Sequence, residues 1–284
     1  MFNIPFFLSL FFYQLSIGVV MVLGLMPLKE VDREFYRISS GLSVLLTSLA
    51  LGLEFLYHFS LPESFGVLAQ DYAFFRQLSL AFLIAYNLMV FVLYIRMRLN
   101  RLAYAKLWVR LSALLGAFSL IFLGLTYRSQ TLMGGMKGLF LSLDFISAAL
   151  FLGVFMLAMV FGHWYLVKSM PKKLLKRMAE IVIVFLILRL IVVALGFWLH
   201  YAHGVASDYD FNKLFYFFEG HGLFFWQRVL VGLVVPAGLS YMIWHTAKLG
   251  ANQSATGLLY VGVVFVIIGE MLGQYLFLIT GIPI

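Results

Sequence analysis

Along the 284 residues, eight long apolar runs are separated by short polar stretches, roughly over 4–28, 38–58, 75–95, 107–127, 138–167, 178–202, 222–246 and 255–280. Each run is near the ~20 residues that an α-helix needs to cross ~30 Å of hydrocarbon. The pattern predicts an all-α integral membrane protein, a bundle of about eight transmembrane helices. The connections leave no room for a separate soluble unit, so residues 1–284 read as one polytopic domain. No low-complexity tract and no convincing internal repeat stands out. The first run lacks a basic leader and a small-residue cleavage site, and it reads as a retained helix.

Five charged residues stand away from the first turn of the runs, inside otherwise apolar stretches: Glu54, Asp144, Arg189, Arg228 and Glu270. A lone charge at the bilayer centre costs about 2.5–3.5 kcal/mol even on an insertion scale, so such residues usually have partners and usually have a task. Three acids against two bases is close to self-neutralising, which is the composition of a buried polar site.

Composition sharpens the class. The chain is 63% hydrophobic and 11% charged, far more apolar than the interior of a soluble domain can absorb. It has no cysteine, so by itself it can hold neither an iron–sulfur cluster nor a disulfide. An electron-transfer role therefore calls for a quinone, a b-type haem or a partner subunit.

The net charge of +8 is an orientation signal. Lys29, Arg33, Arg37, Arg96, Arg98, Arg101, Lys106, Arg110, Lys168, Lys172, Lys173, Lys176, Arg177 and Lys248 fall after odd-numbered runs; Arg76, Arg128, Lys137 and Lys213 fall on the other side. Fourteen cations against four predict both termini on the non-cytoplasmic side, and make nucleic acid an unsuitable partner. The tryptophans agree, with Trp108, Trp164 and Trp244 at inner ends and Trp198 and Trp226 at outer ends. Helical rise then puts Glu54, His58, Asp144, Arg189, His200, His221, Arg228, Glu270 and Gln274 toward the outer half of the membrane. Two readings stand: structural ion pairs that hold the bundle together, or a cavity for a polar-headed lipophilic ligand with a proton path.

Short motifs favour the second. Gln14 and Gly18 form a Gln-x3-Gly pattern in the first run. His58-Phe-Ser-Leu-Pro62 closes the second, Trp226-Gln-Arg228 opens the deep part of the seventh, and Gly269-Glu270-Met-Leu-Gly273 stands in the eighth. In order, spacing, number of spans and outward termini the chain resembles the DmsC/NrfD group of membrane anchors. These are quinone-binding integral subunits of respiratory molybdo-enzyme and iron–sulfur complexes. The resemblance implies a quinone ligand (menaquinone or ubiquinone), an iron–sulfur or cytochrome partner subunit, and a bacterial or archaeal inner membrane. It implies His58, Glu270 and Arg228 as the reacting cluster and Gln14 as a lining residue of the first helix; by their depth, Glu54, Asp144, Arg189, His221 and Gln274 are expected to line the ligand with them. One departure is visible: the third run begins Arg76-Gln77-Leu78, where the group often carries an acid.

Two rivals remain. His163 and His245 near the inner ends, with His58 and His200 or His221 near the outer ones, could ligate two b-type haems, one per leaflet. Alternatively, Asp144, Arg189, Arg228 and Glu270 could be substrate or proton sites of a secondary transporter or channel, with Pro236 as its helix interruption. Ser254 is expected to cap the last helix, and 211–225 to lie in the interface over the polar cavity.

Overall fold

A computed structural model describes residues 4–27, 30–57, 69–101, 104–127, 134–168, 172–203, 211–218 and 220–284. The described residues form nine α-helices and no strand: α1 Ile4–Leu23, α2 Arg33–Tyr57, α3 Ala69–Arg98, α4 Ala105–Leu125, α5 Gly134–Val167, α6 Lys172–His203, α7 Gly222–Val229, α8 Val235–Lys248 and α9 Asn252–Thr280. A π turn, Leu230–Val234, fuses α7 and α8 into one span, so eight helical spans are long and apolar enough to cross a membrane. Pro236 accounts for the interruption. It has no N–H to close an α-turn and its ring crowds the carbonyl four residues earlier, so the chain widens for one turn there.

The spans form two four-membered rings. In one, α1, α2, α3 and α4 pack in sequence and α4 returns to α1; in the other, α5, α6, α8 and α9 do the same. The rings join along α1 and α5, the two most enclosed spans. Both rings begin with a helix running in the same direction, so the halves share an up-and-down order despite having no recognisable sequence repeat.

Close packing at the seam depends on missing side chains. A Cβ on Gly18 would lie 1.7 Å from the carbonyl oxygen of Ala149, and one on Gly153 would lie 2.1 Å from the carbonyl carbon of Gly18. Between hydrocarbon-embedded helices such backbone approach replaces the hydrophobic drive that water would supply.

Helix ends differ modestly from expectation. α1 stops at Leu23 and α2 starts at Arg33, where Asp32 accepts a hydrogen bond from the Glu34 N–H (2.9 Å) and pairs with Lys168. The Lys168 ammonium holds the Asp32 carboxyl below the usual range, with the Glu34 N–H adding to the effect. α9 starts at Asn252 with Ala251 at its cap position and no side-chain cap, so Ser254 lies inside the first turn instead of capping it.

Beyond α9, Gly281 adopts a left-handed conformation (φ 71°) and turns the chain back into the bundle. Ile282 and Ile284 are buried there against Leu214, Phe225 and Leu276. The 3-10 turn Phe211–Leu214 thus packs onto this returning segment, and Trp226 Nε1 donates to the Phe215 carbonyl (3.2 Å).

Candidate functional site

The second ring holds four ionised side chains from four spans. Asp144 comes from α5, Arg189 from α6, Arg228 from α7 and Glu270 from α9, with exposures of 7%, 2%, 0% and 0%. Arg189 meets Glu270 side-on in a bidentate pair: Nε donates to Oε1 (3.0 Å) and Nη2 to Oε2 (2.8 Å). Its remaining nitrogen, Nη1, donates to Asp144 Oδ1 and to Ser147 Oγ (3.0 Å). Arg228 Nη2 donates to the same Glu270 Oε1 (2.7 Å), and its Nε points to the Ile284 carbonyl at 3.4 Å. Two acids and two guanidinium groups cancel. Burial of four charges is tolerable because each is paired with good geometry, whereas any one of them alone would be costly.

Backbone geometry makes room for Arg228. Gly232, in the π turn, and Gly269 on α9 touch Cα to Cα: a Cβ on Gly232 would lie 2.5 Å from the Gly269 Cα. The same Cβ positions fall 3.0–3.1 Å from Arg228 Nη1, so the guanidinium occupies a slot that side chains would fill. The glycines of the Gly269-Glu270-Met-Leu-Gly273 motif are therefore part of the charge site, since Gly273 also faces Arg228 Nε.

Beside the tetrad, Gln274 Nε2 donates to Gln14 Oε1 (2.6 Å), tying α9 to α1. Gln274 Oε1 is buried with no partner among the described residues. A cavity of about 10 Å³ is lined by Gln14, Asp144, Arg189, Glu270, Gln274 and Ile284, with Phe145 and Phe277. That is about the space of one water molecule.

Glu54 does not join this group. It pairs with Arg76 of α3, and Ser9 Oγ donates to its Oε1 (2.9 Å). Arg76, read from sequence as a loop cation, is buried at 8% exposure inside the first ring. The reason is helix geometry: Ser9, Tyr13 and Ser16 line one face of α1, and Gln14 and Gly18 the opposite face. The first face continues as hydroxyls, with Tyr13 bonded to Ser79 (2.8 Å) and Ser119 (2.6 Å), and Ser16 to Tyr86 (3.0 Å). So α1 carries two polar networks, one into each ring, and the six buried charges among the described residues divide into a pair and a tetrad, each neutral.

The histidines are dispersed. His163 Nδ1 bonds to the Tyr260 hydroxyl (2.8 Å), His245 stacks on Tyr241 of its own helix at 6.2 Å, and His221 packs against Phe224 and Tyr275. His58 and the side chain of His200 lie outside the described residues. Among the described residues no group of three or more His, Cys, Asp or Glu is placed to hold a metal ion. A wider, open depression of about 430 Å³ at the opposite end, lined by Tyr165, Leu166 and residues 250–254, offers no acid or base.

The candidate site is therefore the tetrad with its amide pair. Of the residues suggested by sequence, Gln14, Asp144, Arg189, Arg228, Glu270 and Gln274 meet there. Arg76, Ser9, Ser147 and Ile284 were not suggested. A signal existed for Ser9, in the Ser9, Tyr13, Ser16 stripe, but none for Ile284, which arrives by a chain reversal. Comparison with protein-family models, with curated proteins and with solved structures finds no match for the chain. What stands is the class: a multi-pass helical membrane protein with a neutralised, buried charge site near one end of the bundle.

Proposed function

We propose that the chain is a quinone-interacting integral membrane subunit of a respiratory electron-transfer complex, with its tetrad and amide pair handling the protons of quinol oxidation or quinone reduction. The observation that supports it is convergence. Three of the four motifs that carry the resemblance to the DmsC/NrfD anchors lie in spans one, seven and eight, and their polar residues meet: Gln14 bonds to Gln274 just beyond the eighth-span motif, and Arg228 bonds to Glu270; the fourth, at His58, lies outside the described residues. A quinone supplies two-electron chemistry coupled to two protons. The chain supplies amide donors and acceptors to orient its head, carboxylates to take protons, and guanidinium groups that keep a buried negative charge tolerable. With no cysteine to bind a cluster, the electrons pass to or from an iron–sulfur or cytochrome partner. On this reading the site faces the non-cytoplasmic side of a bacterial or archaeal inner membrane.

The test is extraction of quinone from the full chain purified in mild detergent. Quinone is expected near one per protein and reduced at least several-fold in Gln14→Leu and Gln274→Leu, with protein yield held. Quinone no higher than in an unrelated membrane protein from the same cells overturns the reading.

The π turn favours one alternative, because a broken span beside buried charges is how transporters build sites. Proteoliposomes distinguish it: a steady, quinone-independent pH change driven by an imposed ion gradient belongs to a transporter.

A further inference from the structure

The two carboxylates of the tetrad are not equivalent. Glu270 has both oxygens occupied by guanidinium donors, three hydrogen bonds in all, and is fully enclosed. Asp144 accepts a single side-chain bond, on Oδ1 from Arg189. Its side chain keeps 10% of its surface accessible, and it lines the 10 Å³ cavity. Gln274, 6% exposed, lines the same space and leaves Oε1 without a partner among the described residues. A buried amide oxygen without a donor costs about 1–3 kcal/mol, and a buried water typically answers such a group through two to four hydrogen bonds.

We propose that this cavity is a site for one water, held by Gln274, Gln14 and Asp144, and that Asp144 is the carboxylate through which the site exchanges protons. The step is balanced. A hydronium at the cavity transfers a proton to Asp144 Oδ2, an O–H bond forms there, one hydronium O–H bond breaks, and a neutral water remains; release is the reverse. Protonation at Asp144 leaves the bidentate Arg189–Glu270 pair intact, while protonation at Glu270 would take the counter-charge from both Arg189 and Arg228. The charged groups facing Asp144 are Arg189 from α6 and Glu270 from α9, with Arg228 behind Glu270. α1 presents the uncharged Gln14, and Tyr127, just past α4, packs on the lining rings of Phe145 and Phe277.

The assignment rests on reading the site as proton-handling for quinol, but its test needs no quinone, so either can fail alone. The full chain in lipid nanodiscs is titrated while infrared difference spectra follow the protonated-carboxyl stretch. Wild type is expected to show a titrating band that shifts with 13C-aspartate and not with 13C-glutamate. The band is expected to disappear in Asp144→Asn, persist in Glu270→Gln, and change frequency in Gln274→Leu, which removes the water's acceptor. A band sensitive to the glutamate label, or one unchanged in Asp144→Asn, overturns the assignment. Should Asp144→Asn not assemble, an aspartate-sensitive band left unmoved by Gln274→Leu overturns it equally.

Discussion

Arg76 shows how a single residue changes meaning once its neighbours are known. In the chain it stands just inside an apolar run, where an outer-loop cation would equally stand; in space it is the counter-ion of Glu54. Removing one partner of a buried pair strands the other in low dielectric, at about 3–5 kcal/mol. Arg76→Ala is therefore expected to lower the thermal midpoint of the detergent-solubilised protein clearly. The double variant Arg76→Gln/Glu54→Gln, which leaves no charge behind, is expected to recover most of the loss. A midpoint for Arg76→Ala equal to wild type would show that Glu54 is hydrated and that the pair is not enclosed. The tetrad was half legible by the same logic: its four charges stood out as polar interruptions of apolar helices. Who pairs with whom was not, because the pairing depends on helix rotation.

At the scale of helices, backbone contact is the device that sets distances. Gly18 and Gly153 let α1 and α5 touch, and Gly232 and Gly269 bring the π turn against α9 so that Arg228 reaches Glu270. Gly238 has nothing within 4 Å of the place a Cβ would take. A helical glycine free of contacts costs roughly 0.5–1 kcal/mol relative to alanine. Gly238→Ala is thus expected to leave thermal stability unchanged or slightly raised, while Gly18→Ala, whose Cβ would meet backbone at 1.7 Å, forces the rings apart and lowers it. Thermal unfolding of both variants checks this; equal effects would contradict the tight seam. From the sequence these glycines read alike, as generic helix contacts. Their difference is made by which helix lies opposite.

For the whole molecule, an even number of spans brings both ends of the described chain to the same end of the bundle; the expectation from the cation bias, that this end is the non-cytoplasmic one, is open to a direct test. The chain lacks cysteine, so single cysteines placed after Lys106 and after Ile282 can be labelled without background. A membrane-impermeant maleimide applied to intact cells is expected to leave the first unlabelled. In cells permeabilised to the reagent, the first should label at once, whereas the second should react from outside only when the returning segment is loosened, as by Ile284→Ala. Labelling after Lys106 from outside would invert the topology and move the tetrad to the inner half.

Hydrophobic runs long enough to span lipid determined the class and the helices, because in hydrocarbon every backbone group must be satisfied within its own helix. The excess of cations on alternate connections likewise suggested an orientation before any contact was known. Tertiary structure alone decided that two polar networks exist and not one. Opposite faces of α1 look into different rings, and a depth estimate from helical rise carries no information about rotation. It also decided that both oxygens of Glu270 are taken by guanidinium donors while Asp144 accepts on one oxygen alone, and that Ile284 comes to line their shared cavity. Those facts depend on a reversal at Gly281 and on two glycine contacts between segments far apart in the chain, and local pattern does not encode which distant helix a face will meet.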